Sequence, residues 1–557
     1  MNKPDGGALV GAALAAGGVD KAFGLCGGHI MPALYGIRNA GLEIIDVRHE
    51  CSALYAAIAY YRSTGKVAAV ITTAGPGVAN TAAGMMEAAS MNIPVIHLGG
   101  AVSMAKRDAG DLQDMSTLTL MDSVATWARK VTIAERIPEY IRLALRHATG
   151  TSPGPVYLEI PTDLLFATVD GHTPTQAYRP SAFTPAADPA LVDEAADLLA
   201  NAQRPAMLLD DGTRAGIGTD AGAIAALSDV LKMPVGNIGN GCRGFLGDES
   251  ENRLLNTNAT RGADVILAMG CRFDFRIASG RLIPPDATVI QVHTDPSLIG
   301  FNARADLAIT GGAGPVARQL LDAIGSRTKP VAGDSWIGPS GPKTTSDLPP
   351  VYSDPKTPIH PGRCAGEVAR FLEQQGRDWS LVIDGGEASV WMGGASTAYL
   401  PGQVHATGSN GTIGTGPGLV IGAWAATGKP VLWYTGDGSF GFYSMEMDTM
   451  ARLGIPVVCV ISNDSGWGMI SLVEKHVRPD EIAERGTCNT DLQHMRAYEK
   501  IVEMWDGHGE QVTDPDQIVA AIERAAANGR PSIVNVEVDN ESLSPFIAPY
   551  AEMMKGE

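Results

Sequence analysis

Ten short runs of aliphatic and β-branched residues recur along the chain, separated by helical segments: VAAVIT, PVIHLGG, PVYLEIP, PAMLLDD, DVILAMG, TVIQVHT, LVIDGG, PVLWYTG, PVVCVIS and PSIVNVEV. Their apolar character is continuous. A strand with one wet face alternates apolar and polar residues, whereas a strand covered by helices on both faces has no reason to. Runs of this kind therefore predict an α/β fold of parallel sheets.

At 557 residues the chain exceeds a single ordinary core. Two stretches rich in Pro, Gly, Ser and Thr, near residues 170–190 and 329–362, read as linkers. They predict domains at 1–172, 188–330 and 358–545, with a tail at 546–557. The first and third repeat one plan. VITTAGPGVANTAAGMMEAASMNIPVIHL and LWYTGDGSFGFYSMEMDTMARLGIPVVCV each read as strand, glycine turn, helix of about four turns, then Ile-Pro-Val opening the next strand. Chance recurrence of glycine turns is the alternative.

The formal charge of −19 disfavours nucleic acid and anionic membranes as partners. No segment supplies the ~18 apolar residues of a membrane span, and the N-terminus lacks a signal-peptide layout. Seven scattered cysteines with no CxxC pair predict reduced, buried thiols in a cytoplasmic protein. The 66 glycines, about 12% against a usual ~7%, cluster at strand ends, where they let a backbone approach a ligand.

Gly436-Asp437-Gly438-Ser439 is such a strand end, with a helix following. Backbone N–H groups there suit a phosphate. Asp437 would repel an anion unless a cation intervened, and Mg²⁺ bridges carboxylate to diphosphate. The next strand ends in Ser462-Asn463-Asp464-Ser465. Adjacent parallel strands present their C-terminal ends to one crevice, so the Asn463 side-chain oxygen can join Asp437 on the metal. A plain tight turn explains Gly-Asp-Gly alone but not the spaced Asn.

These motifs resemble the thiamine-diphosphate enzymes of the acetolactate synthase, benzaldehyde lyase and 2-hydroxyacyl-CoA lyase superfamily. The resemblance runs from Gly24 to PSIVNVEV and implies two related cofactor-binding domains, pyrimidine-binding and diphosphate-binding, flanking a central Rossmann-like domain. It implies Asp437, Asn463 and the Ser465 carbonyl as Mg²⁺ ligands, in a pair Asn463-Asp464 where the family has Asn-Asn. Gly436, Gly438 and Ser439 are implied to face the diphosphate. Val47-Arg48-His49-Glu50, followed by Thr64-Gly65-Lys66 and Thr73-Ala74-Gly75-Pro76-Gly77, is similar to the pyrimidine-binding domain. Glu50 then matches the carboxylate that hydrogen-bonds the aminopyrimidine, and Gly75 the cofactor-facing turn. Without the resemblance, Glu50 reads as a helix N-terminal acid. Ile413, in NGTIGTGPG, matches an apolar residue that keeps the cofactor bent; core packing is the alternative.

His29, in Gly27-Gly28-His29-Ile30, matches a proton-handling His of benzaldehyde lyase that acetolactate synthases lack. Gln113 matches an active-site Gln of both groups. Structural roles for both are the alternative. Trp467-Gly468-Met469 and Arg272-Phe273-Asp274-Phe275-Arg276 are closer to 2-hydroxyacyl-CoA lyases. The resemblance implies that the central domain holds ADP in CoA-using relatives and FAD in acetolactate synthases; Arg272 and Arg276 read equally as diphosphate contacts or as surface ion-pair partners. Asp163 and Ser389 stand where benzaldehyde lyase has pocket aromatic and His residues, so an aromatic aldehyde is not expected.

The expectation is a lyase or carboligase acting on a 2-hydroxy carbonyl compound of acyloin or 2-hydroxyacyl-CoA type, a small-molecule substrate, in a homodimer or homotetramer. The alternatives are an acetolactate synthase-like decarboxylating ligase and a non-catalytic, cofactor-binding regulatory relative. A nucleotide-dependent dehydrogenase would need a GxGxxG turn with a following acid, and the chain has none.

Overall fold

The computed structural model describes residues 3–169, 184–218, 220–246, 253–254, 260–325, 327, 336–337 and 344–555. Contacts divide the chain into two compact units. The first holds two sheets and the second one, and all three are parallel throughout.

The N-terminal sheet consists of β1 (Lys21–Gly24), β2 (Glu43–Asp46), β3 (Ala68–Thr72), β4 (Val95–Ala101), β5 (Trp127–Lys130) and β6 (Pro155–Pro161), in the order β2-β1-β3-β4-β6-β5. Every residue of β3, β4 and β6 is buried, as their apolar runs require. The central sheet consists of β7 (Pro205–Leu209), β8 (Val235–Asn237), β9 (Arg253–Leu254), β10 (Val265–Met269), β11 (Thr288–His293) and β12 (Leu307–Thr310), in the order β12-β11-β10-β7-β8-β9. Counted within the sheet and read from its far edge, this is 3-2-1-4-5-6, the dinucleotide-fold order.

The second unit carries β13 (Ser380–Ile383), β14 (Val404–His405), β15 (Val431–Gly436), β16 (Val457–Asn463), β17 (Gly509–Val512) and β18 (Ser532–Glu537). Its order, β14-β13-β15-β16-β18-β17, repeats that of the N-terminal sheet strand for strand. The shared plan of the first and third domains is thus a shared topology. The expected four-turn helix after the glycine turn is broken in both. Pro76–Ala79 is followed by Ala82–Ser90 after β3, and Asp437–Tyr443 by Glu446–Leu453 after β15. The interruption falls at the matching place in the two sheets.

All ten apolar runs are strands. Residues 170–183 of the first linker lie outside the described residues, and its end runs into the helix Pro189–Asn201; within the second, 344–360 holds two short 3-10 turns, Thr345–Asp347 and Pro350–Ser353. All seven cysteines are free, but two of them, Cys26 and Cys488, are exposed, correcting the expectation that all are buried. Both follow turn or loop residues, where no apolar run dictates burial. Among the described residues no helix is long and apolar enough to cross a membrane.

Candidate active site

In the second unit, Gly436 pairs in register with Ser462, so β15 and β16 end side by side. Asp437 begins the helix that leaves β15, and Asp464 follows the end of β16. Both line a cavity of about 260 Å³ together with Gly436, Gly438, Ser439 and Ile413. Asp437 is buried, and its Oδ1 has no hydrogen-bond partner among the described residues. Burial holds both carboxyls above the ordinary range, and the charge of Asp437 pushes Asp464 further. An unpaired carboxylate oxygen beside a second buried carboxyl is what a divalent cation would relieve.

Asn463 is buried and does not itself line the cavity. Its Nδ2 donates to Asn535 Oδ1 at 3.0 Å, which fixes the amide so that Oδ1 accepts from the Ser465 N–H at 3.0 Å. Asn535, on β18, is held in turn by donating to Glu499 Oε2 at 2.8 Å and to the Arg496 carbonyl at 3.0 Å. Ser465 has φ +59°, and its carbonyl accepts from the Leu492 N–H at 2.8 Å, leaving one lone pair. Among the described residues no group of three or more His, Cys, Asp or Glu side chains is arranged to hold a metal. Carboxylate, amide and carbonyl oxygens together are instead the donor set that suits Mg²⁺. The residues present therefore fit the ion.

Asp384, at the end of β13, shapes the loop that carries Ile413. Its Oδ1 accepts from the N–H groups of Gly385 (2.7 Å) and Gly414 (3.0 Å), and its Oδ2 from Gly416 (2.9 Å). Burial still pushes this carboxyl up to about 6, against those donors. Gly438 must be glycine: a Cβ there would lie 2.8 Å from the Trp467 ring, which covers the turn.

Sequence reasoning missed Asp384, Asn535 and Glu387. Glu387 also lines the cavity; its Oε1 accepts from Trp391 Nε1 (3.1 Å) and the Ser544 N–H (3.0 Å), and its Oε2 from Ser544 Oγ (2.9 Å). Burial, with a contribution from Asp464, pushes it up to about 7. Tyr550, on the helix Ile547–Lys555, completes the cavity lining, so the tail borders the cavity. An acid in a helix's first turn was the only signal for Glu387, and it is a common one.

In the first unit, the turn after β3 gathers the other expected residues. Glu50 opens the helix Glu50–Thr64, capped by His49, whose Nδ1 accepts from the Cys51 N–H at 3.2 Å. Glu50 is buried, and its Oε2 accepts from Asn80 Nδ2 at 2.9 Å. A Cβ on Gly77 would sit 3.3 Å from Glu50 Oε1 and 2.8 Å from the Thr73 methyl. Thr73 Oγ1 donates to Gln113 Oε1 at 3.3 Å. Gly75, at φ +58° and ψ −112°, takes a backbone conformation open to glycine, and Gln113 packs against it. His29 is half-buried on a 3-10 turn after β1, and its backbone carbonyl lies 2.8 Å from where a Cβ on Gly100 would sit. A Cβ on Gly27, two residues before His29, would lie 2.3 Å from Thr73 Cβ, so the loop that carries His29 packs on the residue that holds Gln113. Glu50, Gly75, Gln113 and His29 therefore belong to one neighbourhood. Neither Asn80 nor Thr73's contact carries a signal in the sequence.

In the central sheet, Arg276 is committed to ion pairs with Asp210 (3.1 Å), Asp211 (3.2 Å) and Asp274 (2.9 Å). Arg272 lies over the Phe301 ring, 4.9 Å from its centroid. Arg276 is thus an ion-pair partner, but with largely buried acids rather than at the surface.

Two cofactor-type half-sites on sheets of identical order, with a central dinucleotide-fold sheet, define the architecture of a thiamine diphosphate enzyme. The family models agree. The N-terminal thiamine pyrophosphate-binding domain matches residues 4–121, the central domain 192–320 and the C-terminal thiamine pyrophosphate-binding domain 384–536. The chain belongs to the thiamine pyrophosphate enzyme family. It is 31% identical to an acetolactate synthase large subunit of Mycobacterium tuberculosis, over 97% of this chain and 96% of that one. It is 28% identical to a probable acetolactate synthase large subunit of Methanocaldococcus jannaschii, over 96% and 92%. To the 2-hydroxyacyl-CoA lyase 2 of Homo sapiens it is 29% identical, over 84% of this chain and 79% of that protein.

Proposed function

We propose that the chain is a thiamine-diphosphate-dependent lyase or carboligase that breaks or forms a carbon–carbon bond in a 2-hydroxy carbonyl compound, of acyloin or 2-hydroxyacyl-CoA type. The grouping of the His29 loop and Gln113 with Glu50 around the turn after β3 carries this reading. Cleavage next to a hydroxyl-bearing carbon requires the hydroxyl proton to leave, and ligation requires it to return. An imidazole exchanges protons near neutral pH and suits that task. Gln113 would orient the hydroxyl.

Glu50, held by Asn80, would keep a proton at the aminopyrimidine ring nitrogen. Asp437, Asn463 and the Ser465 carbonyl would hold Mg²⁺, with Gly436, Gly438 and Ser439 facing the diphosphate and Ile413 supporting the cofactor. Gly75 would let the turn after β3 approach the pyrimidine. Bound thiamine diphosphate supplies a nucleophilic carbon and an electron sink. Trp467, Met469, Ile470 and Tyr550, lining the cavity beside the glycines, favour an apolar acyl group. The working form would be a homodimer or homotetramer in which paired chains share each cofactor.

In protein loaded with thiamine diphosphate and Mg²⁺, His29→Ala is expected to slow cleavage of a 2-hydroxyacyl substrate roughly 100-fold or more while cofactor binding is retained. An unchanged cleavage rate would refute the assignment. Similarity along 97% of the chain to an acetolactate synthase supports a second reading, a decarboxylating ligase of 2-oxo acids. Pyruvate consumption with release of CO₂ would select it.

A further inference from the structure

The central sheet has the strand order of a dinucleotide fold, and its switch point falls between β7 and β10. In open α/β sheets the crevice outside the C-terminal ends of those two strands is where a nucleotide diphosphate sits, against free backbone N–H groups. Here β7 runs directly into Asp210-Asp211-Gly212-Thr213.

The carboxylates of that turn are engaged by the chain itself. Asp210 Oδ1 accepts from the Asp211 N–H at 2.8 Å, and Asp210 Oδ2 from the Arg272 N–H, at the end of β10, at 3.1 Å. Asp211 Oδ1 accepts from the Gly241 N–H at 2.9 Å. Arg276 supplies the cation to both carboxylates and to Asp274. Packing is close at two points around the turn. A Cβ on Gly270 would lie 2.1 Å from the Thr213 nitrogen, and one on Gly239 would lie 2.5 Å from Asp210 Oδ1. A diphosphate would meet two buried carboxylates whose counter-charge is already in place.

The same cluster reaches the N-terminal domain. Arg62, buried in the last turn of the helix that Glu50 opens, lies 3.4 Å from Asp211 Oδ1. Arg214, from the short helix Asp211–Ala215, donates to the Tyr61 carbonyl of that last turn at 3.5 Å, where a cation also suits the helix dipole.

We propose that this crevice is filled by the chain's own ions, takes no nucleotide, and instead anchors the far end of the helix that carries Glu50. Asp211 and Arg62 are then positioning residues, acting on the cofactor through the helix. The inference goes beyond the proposed reaction and holds whichever carbonyl substrate the site takes.

Protein saturated with thiamine diphosphate and Mg²⁺, so that its diphosphate site is closed to competitors, is titrated calorimetrically with FAD and with ADP to millimolar concentration. No saturable heat is expected for either; saturable binding of either nucleotide overturns the claim that the crevice takes none. The anchoring is tested with Arg62→Gln, Asp211→Asn and the double variant. Each single change is expected to raise the thiamine diphosphate concentration for half-maximal activity about tenfold, with substrate KM unmoved, and the double change to add little, because both break one pair. Arg62→Lys, which keeps the charge, should recover part of the loss and also serves if the Gln variant does not fold. Independent, multiplying losses, or a shift in substrate KM in step with the cofactor, would overturn the anchoring.

Discussion

Two acidic turns, each following a buried parallel strand, reach opposite ends. After β15, Asp437 keeps one carboxylate oxygen without a partner beside a cavity of about 260 Å³. After β7, Asp210 and Asp211 are just as buried, but Arg276 and backbone donors satisfy them. The sequences, Thr-Gly-Asp-Gly and Leu-Asp-Asp-Gly, differ little. What separates them is whether the protein itself supplies the counter-charge. Where it does, the turn is architecture; where it does not, the unpartnered oxygen is one that a cation would relieve.

The largest effect expected of this contrast comes from Asp437→Asn. Activity dependent on Mg²⁺ should vanish, yet urea unfolding of the cofactor-free variant should show stability equal to or above the parent's, since an unpaired buried charge is removed. At the closed turn the opposite should hold. Arg276→Met leaves Asp210 and Asp274 without their cation and Asp211 with Arg62 alone, and unfolding should show a loss of about 3–5 kcal/mol. Asn535→Ala, which frees the Asn463 amide to rotate, should weaken Mg²⁺ binding roughly 10-fold, read by titrating the metal against activity.

The smallest effect is a pH slope. Burial, aided by Asp464, raises Glu387 to about 7 in the folded cofactor-free protein. Between its ordinary value near 4.5 and about 7 the unfolded chain gives up a proton that the folded chain keeps. Stability should therefore fall as pH rises through that window, by up to about 1 kcal/mol per unit, and level off above it. In Glu387→Gln the slope in urea midpoint across this window should flatten.

The parallel sheets were legible because burial on both faces demands unbroken apolar runs, and all ten runs are strands. The strands outside those runs are β1, β2, β5, β8, β9, β12, β14 and β17. Six of these are sheet edges, and β1 and β8 each lie next to one. An edge strand pairs on one side only, and β12 and β17 are accordingly part-exposed, so their sequences carry no such run. The site was legible where a residue type is chemically odd for its place, as with a carboxylate in a glycine turn. Asn80, Asn535 and Asp384 were not, because each is ordinary in sequence and acts by holding a neighbour that only the fold brings near. Arg276 was ambiguous for the same reason: its partners at 210 and 211 lie more than sixty residues away in the chain.

Native mass spectrometry of the protein, incubated with thiamine diphosphate, Mg²⁺ and FAD together and then exchanged into volatile buffer, compares the two turns in a single measurement. The account predicts one thiamine diphosphate and one Mg²⁺ per chain and no FAD. Retained FAD, or a chain that carries no thiamine diphosphate, would contradict it.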